Sequence, residues 1–365
     1  MDIIVTGTRG IPNVQGGVET HCQELYPLIV ASGKYKVTLI GRSAYMHNNK
    51  NLMHYKGVLI RTIYSPRLKS LEAIVHTFLA VIYAAIKRPD VLHIHAIGPN
   101  LLTPMARLFG LNVVMTHHGP DYQRKKWGKL AKFFLKWGER CGVRWANKVI
   151  VISDEIGEHI ESLYGRKDYC VIPNGVPKPN LVDSTTYLDK FGLKKQKYIF
   201  TLGRFVPEKG FDYLIEAYLE SGLQQEYSLV IAGDADHETD YSRKLKNQAA
   251  ENHIVLTGFV KEKPLLELFT HARLFVLPSY YEGLPIALLE AMSYQLDIVA
   301  SDIPANLQVG LPVNSYFKTG DKLRLKELLT AKLNKPIIQQ DYNLDKYNWN
   351  TIAGQTMHVY STLIN

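Results

Sequence analysis

Cysteine is scarce. Cys22, Cys141 and Cys170 are the only three in 365 residues. The number is odd and no two form a C-x-x-C pair. That excludes a disulfide framework and a zinc ribbon, and fits a reducing compartment. A long apolar run is also missing. The nearest approach, LEAIVHTFLAVIYAAI (71–86), contains Glu72 and His76 and falls short of the ~20 clean residues that a span needs, so it reads as a buried helix. The opening MDIIVTGTRG is a strand and a turn, not the apolar core of a secretory signal. No short repeat occurs, and the spacing of the first glycine loop is not G-x-G-x-x-G, so a standard dinucleotide fingerprint is absent. Apolar residues at 46% and charged residues at 21% exclude a disordered chain.

What is present alternates. DIIVTG, KVTLIG, VLIRTI, DVLHIHA, NVVMTHH and KVIVIS read as short, often wholly apolar strands separated by helical stretches. That pattern indicates a parallel sheet covered on both faces. PNGVPKPN (173–180) reads as a linker, with a domain boundary at 176/177. The pattern then restarts with YIFTLG, YSLVIAG, HIVLTG, LFVLPS and DIVAS. The expected fold is α/β, two doubly wound domains in tandem. Ligands of such folds bind beyond the C-terminal strand ends, and two such edges facing each other would make a cleft.

Candidate groups fall at those ends. Gly16 and Gly17 close the loop GTRGIPNVQGGVE (7–19) where a helix begins. Bare amides there suit a phosphate, and an ordinary turn is the alternative. His117 and His118 follow NVVMT and cannot share one strand face, whereas His93 and His95 can. Four histidines invite a metal, but no spaced Cys or acidic partners accompany them. In LGRFVPEKG, Arg204 and Lys209 are two cations that can grip a diphosphate, or plain surface charge. Asp234 and Asp236 form a D-x-D, either a divalent-cation pair or simply a loop. PSYYEGLPIALLEA (278–291) sets Glu282 ahead of Pro285, a first-turn proline, and Glu290 inside an otherwise buried helical run. A carboxylate there needs donors, which ribose hydroxyls would supply.

Charge is uneven. Residues 1–182 hold 24 Lys and Arg against 12 Asp and Glu; the remainder holds 19 against 22. The excess centres on RKKWGKLAKFFLKWGERCGVRWANK (124–148), where Glu139 is the one acid. Lys129, Lys132, Lys136, Arg140 and Arg144 recur at helical spacing, and Trp127, Leu130, Phe134, Trp137, Cys141 and Trp145 do so on the opposite side. Either the apolar side packs on the sheet and the basic side meets water, or the basic side docks on anionic lipid. No nucleic-acid motif accompanies it.

GGVE near the N-terminus, HG after a mid-domain strand, PNGV at the linker, GRFVPEKG and the E-x7-E of EGLPIALLEA follow in order over nearly the whole chain. Together they resemble the family-4 retaining glycosyltransferases of the GT-B fold. The opening GTRGIPNVQGGVET looks like a subgroup associated with bacterial polysaccharide assembly, including some rhamnosyltransferases. The resemblance implies two Rossmann-like domains facing a central cleft. Residues 1–176 would bind acceptor and 177–347 the nucleotide sugar, with a last helix (348–365) crossing back. It also implies sugar transfer to a membrane- or lipid-linked saccharide in O-antigen, capsule or exopolysaccharide assembly. Arg204 and Lys209 would bind the donor diphosphate and Glu290 the ribose. Glu282, with the amides around Gly283 and Leu284, would bind the transferred sugar. Gly17 would approach donor phosphate or acceptor, His118 the sugar near the reaction centre, and Gly258 and Phe259 the base. No cofactor and no essential metal are implied, although Asp236 departs from the family's small residues. The setting would be cytoplasmic, peripheral on the inner face of the cell membrane. A nucleotide-sugar 2-epimerase on the same scaffold is the alternative; it would need neither E-x7-E nor the basic stripe. An inactive binding module would not need all four of Arg204, Lys209, Glu282 and Glu290.

Overall fold

A computed structural model describes residues 1–46, 52–66, 72–123, 128–235, 237–337 and 339–364. The chain forms two compact units, Met1–Gly175 with Lys346–Asn365, and Val176–Asp345. In the first, eight strands make one sheet: β1 (Asp2–Thr6), β2 (Lys36–Arg42), β3 (Leu52–Tyr55), β4 (Val58–Ile63), β5 (Val91–His95), β6 (Val113–His117), β7 (Lys148–Val151) and β8 (Tyr169–Val171). Their order is β3-β4-β2-β1-β5-β6-β7-β8, parallel except where β3 runs against β4. Every residue of β5 and β6 is buried, because helices cover both faces. On one face Leu25, Tyr26 and Ile29 of the helix Gly17–Ala31 pack with Trp349, Ile352 and Tyr360 of the helix Trp349–Ser361, which belongs to this unit.

The second unit holds β9 (Tyr198–Leu202), β10 (Ser228–Ala232), β11 (Val255–Gly258), β12 (Leu274–Leu277), β13 (Ile298–Ser301) and β14 (Tyr316–Phe317). They form one parallel sheet in the order β11-β10-β9-β12-β13-β14. Strands β3, β8 and β14 were not anticipated. LMHY and YCV lack a continuous apolar run, and β14 has two residues. β3 and β4 form a hairpin whose turn uses Lys56 and Gly57, both at positive φ.

The apolar stretch forms a helix, Glu72–Lys87, with Leu71 outside the described residues. Glu72 is accommodated by Arg42 Nη1 at 2.9 Å and by the Tyr45 hydroxyl, which donates to it at 3.2 Å. Among the described residues no helix is long and apolar enough to cross a membrane.

The basic helix, Lys129–Trp145, corrects one expectation. Trp127 lies outside the described residues. Of the remaining apolar residues expected on one face, only Cys141 is buried; Leu130 is 71% exposed, Trp137 50% and Trp145 51%. Phe133 joins them, edge-on to Phe134 and Trp137 at 5.8 and 5.6 Å. The reason is close approach. The buried strip is Gly138, Glu139, Cys141, Gly142 and Val143, and a Cβ on Gly138 would collide with Ile97 O. The helix meets the domain through glycine, which leaves no depth for tryptophan.

Glu139 sits at that contact, fully buried. His117 Nε2 lies 2.7 Å from it, and the Tyr164 and Tyr122 hydroxyls donate to it at 2.7 and 3.1 Å. Burial alone would raise its pKa, but hydrogen bonds from His117, His159 and Tyr164 outweigh that and hold the carboxyl well below its ordinary range. Two outcomes follow. Gly138→Ala should cost about 1–3 kcal/mol in thermal or urea unfolding, while Phe133→Ser should leave stability within about 0.5 kcal/mol. The lowered pKa of Glu139 contributes stability above its ordinary value of 4.5 that fades as pH falls below it. Glu139→Gln should therefore lose about 2–4 kcal/mol at neutral pH and show a flatter acid limb in melting scans.

Candidate active site

In the second unit the candidate residues cluster beyond the ends of β9 and β12. After β9 the stretch GRFVPEKG makes a 3-10 turn, Pro207–Lys209, before the helix Phe211–Ser221. Gly210 takes a left-handed φ of 66°, and a Cβ there would strike Pro278 O. Glycine thus brings this loop against the chain leaving β12. Lys209 Nζ reaches Glu282 Oε1 at 2.5 Å, and Ser279 Oγ donates to the same oxygen at 2.6 Å. The Tyr280 amide donates to Glu208 O at 2.8 Å. The Lys209 and Glu282 side chains are only 18% and 13% exposed. Glu282 Oε2 takes no hydrogen bond from the described residues.

Arg204 lies half-buried at the start of the same loop. Gly283 and buried Leu284 lead to Pro285, which caps the helix Ile286–Ser293 instead of lying in its first turn. Among the described residues no side chain makes a capping bond at that end, where the helix dipole is positive. Glu290 is half-buried, at the margin of a helix whose Leu288, Leu289, Ala291 and Met292 take the core. Gly258 ends β11 at φ 71° with open space where a side chain would stand, and exposed Phe259 follows, with Lys261 Nζ 5.2 Å from its ring centre. Asp234 pairs with Lys246 Nζ at 2.8 Å, an ordinary surface role, and Asp236 lies outside the described residues. Sequence reading missed Glu208. It is buried, and neither carboxylate oxygen has a hydrogen-bond partner among the described residues. Its polar loop gave no signal of burial.

In the first unit the helix Gly17–Ala31 starts at exposed Gly17 with Gly16 as its cap and no side-chain capping bond. Gly16 has a φ of 148°, and a Cβ on it would enter the contact between Arg9 and buried Glu19, whose Nε and Oε1 are 3.2 Å apart. β6 ends at His117, so the two adjacent histidines part: His117 goes to Glu139, and His118 Nε2 meets His95 Nδ1 at 2.9 Å. His93 and His95 share a face, their rings stacked at 4.3 Å. Ala96 then turns through a left-handed φ of 64°, with Asn100 Nδ2 donating to its carbonyl at 2.8 Å.

Three partners escaped the sequence. Tyr26, from the first helix, has its hydroxyl 2.5 Å from His95 Nε2; Tyr360, from the last, is 2.6 Å from His93 Nδ1. His21 brings a ring nitrogen within 4.8 Å of those of His95 and His118, with its Nδ1 2.9 Å from Asn174 Oδ1. Helical side chains carry no mark of which strand they will face. Burial lowers His21 to about 4 and His93 to about 3, and pushes His95 and His118 well below the ordinary histidine value.

Two family models match, Glycosyltransferase Family 4 over residues 15–178 and Glycosyl transferases group 1 over 183–339. A curated relative from Escherichia coli, UDP-Gal:alpha-D-GlcNAc-diphosphoundecaprenol alpha-1,3-galactosyltransferase, is 29% identical over 70% of each chain. Among solved structures, sucrose-phosphate synthase from Thermosynechococcus elongatus superposes with a TM-score of 0.83 at 18% identity over 100% of this chain and 99% of that one. Anabaena HepE in complex with UDP and glucose superposes at 0.79 and 16% identity over 99% of both. These comparisons give the epimerase alternative no support. With a Family 4 domain in its first half, a group 1 domain in its second and a two-domain α/β Rossmann-like scaffold throughout, the chain belongs to the glycosyltransferases of the GT-B fold.

Proposed function

We propose that the protein transfers a sugar, with retention of anomeric configuration, from a nucleotide sugar to a lipid-linked saccharide at an anionic membrane surface during bacterial polysaccharide assembly. The observation that carries this is the meeting of Lys209 and Glu282 at 2.5 Å from loops 73 residues apart. Cleaving a sugar–phosphate bond leaves negative charge on a diphosphate. Lys209, Arg204 and the N-terminal end of the helix Ile286–Ser293 are the positive groups suited to it, with no essential metal required. Glu282 holds Lys209 through Oε1 and keeps Oε2 for hydroxyls of the transferred sugar. Glu290 takes the ribose, Gly258 and Phe259 the base, and Gly16, Gly17 and His118 serve phosphate, acceptor or sugar. Uridine is the base to test first, since UDP-galactose stands in the E. coli relative's name and HepE holds UDP. That relative's name also carries a diphosphoundecaprenol-linked sugar, the acceptor class proposed here.

The basic helix supports the membrane setting. Phe133 and Trp137 are exposed beside Lys129, Lys132, Lys136, Arg140 and Arg144. Aromatic rings at the interface and cations near anionic headgroups are the two contributions an interfacial helix makes, on the order of 1 kcal/mol per basic residue. Two measurements test the reading. Lys209→Ala should depress release of nucleoside diphosphate from a UDP-sugar by at least ~100-fold without changing the melting temperature; near-normal turnover removes Lys209 from this role. Sedimentation with phosphatidylglycerol vesicles should be strong at low salt, weak at high salt and reduced by Trp137→Ser. No binding at low salt ends the membrane assignment.

A further inference from the structure

The exposed side of the basic helix changes character along its length. Phe133, Trp137, Arg140 and Arg144 follow at spacings of four, three and four residues, which sets them on one face, and all four are exposed. The first half of that face is aromatic and the second cationic. Beside the second half lies a cavity of about 590 Å³. Arg140, Val143 and Arg144 line one side of it. Leu163 and Tyr164, at the end of the helix Asp154–Tyr164, line the other, and Arg166 and Asp168 complete it.

The two helix ends are tied together. The Tyr164 hydroxyl donates to buried Glu139 at 2.7 Å. Gly165 ends the second helix at a left-handed φ of 70°. Arg166 then reaches back, and its Nη1 donates to Val143 O at 2.6 Å and to Ala146 O at 2.9 Å, carbonyls at the end of the basic helix. The charge of Arg166 is matched by Asp168, with Nε and Oδ1 3.0 Å apart. Arg140 and Arg144 have no such match. Among the described residues neither makes a hydrogen bond or an ion pair. The cavity therefore sets three guanidiniums against one carboxylate. Arg140 and Arg144 stand one turn apart, where like charges repel, and an anion between them would relieve that repulsion. A guanidinium fork fits the oxygens of a phosphate.

The apolar part of the site decides which phosphate. Leu163 is 57% exposed at the cavity, and exposed Trp137 precedes Arg140 by less than one turn. Inorganic phosphate gains nothing from these neighbours, whereas a phosphate that carries acyl chains does. We propose that the cavity is a headgroup site, which holds the phosphodiester of one anionic phospholipid between Arg140 and Arg144. This names the lipid partner of the membrane setting proposed above and rests on that reading. It differs from a diffuse layer of charge in two ways. The site saturates with one lipid, and it refuses a choline headgroup, whose own cation would stand against the guanidiniums.

Calorimetric titration of the full chain with dihexanoyl phosphatidylglycerol, below its micelle concentration, tests the site without a bilayer. One saturable site is expected, and dihexanoyl phosphatidylcholine should give none. Arg140→Gln with Arg144→Gln should weaken binding at least ~10-fold. Lys129→Gln with Lys132→Gln removes the same charge more than about 10 Å along the helix from Arg140, a Debye length away, and should change the affinity less than ~2-fold. No binding, equal losses in the two pairs, or inorganic phosphate that competes as well as the lipid would each overturn the headgroup site. Sedimentation with phosphatidylglycerol vesicles separates this site from the membrane setting. Equal loss of both variant pairs from the vesicles would keep the setting and remove the site. Short-chain lipid that binds as expected while the unaltered chain sediments with no vesicle would keep the site and remove the setting.

Discussion

A parallel strand delivers its chain to the same edge of the sheet every time. That constraint places most of the candidate site residues in this protein. β1 runs into the glycine loop, β5 ends on His95, and β6 ends on His117 with His118 next. In the second unit β9 leads to Arg204 and Lys209, β11 ends on Gly258, and β12 leads to Glu282. Residues far apart in sequence meet because the crossover helices return each strand in the same direction, and the strand ends then lie side by side. Lys209 and Glu282 are neighbours for this reason, since β9 and β12 are adjacent in their sheet.

Much of this was legible in the sequence because a buried parallel strand has a plain signature. VLHIH and VVMTH are buried at all five positions, so almost any reading of them gives a strand in a covered sheet. Motif order then gave the fold, and loop position put Arg204, Lys209 and Glu282 beyond strand ends of the second sheet. What failed to show was the direction in which helical side chains point. The basic helix has an apolar stripe, and its amphipathic pattern allowed either that the stripe packs on the sheet or that the helix docks on anionic lipid. The governing feature was instead a strip of two glycines flanking Glu139 and Cys141, which carries little hydrophobic weight. Tyr26, Tyr360 and His21 were invisible for a related reason: each is one residue on a helix, and only the packed structure shows the histidine it meets. Short strands such as β14 were lost because two residues make no pattern.

Adjacent histidines receive opposite treatment. His117 is given a carboxylate, Glu139, held ionised by its donors despite burial. His118 is given another imidazole, and burial with neighbouring histidines keeps it uncharged. One side of the strand end is a hydrogen bond to a buried carboxylate, with the Gly119 amide donating to the other ring nitrogen of His117. The other is an uncharged cluster in which His118 meets His95 and His95 meets Tyr26. The end of β6 at His117 separates the two environments by a single peptide.

The first unit is discontinuous: its last helix is encoded after the whole of the second. A nascent chain emerges from its N-terminus, so Val176–Asp345 can complete its core while the earlier unit still awaits Trp349, Ile352 and Tyr360. Until then the outer side of Leu25 and Tyr26 has no cover, and His93 lacks one of its hydroxyls. Synthesis order and completion order are therefore inverted: the half translated first is the half finished last, and a chain cut short near its end can have Val176–Asp345 whole while His93 lacks Tyr360.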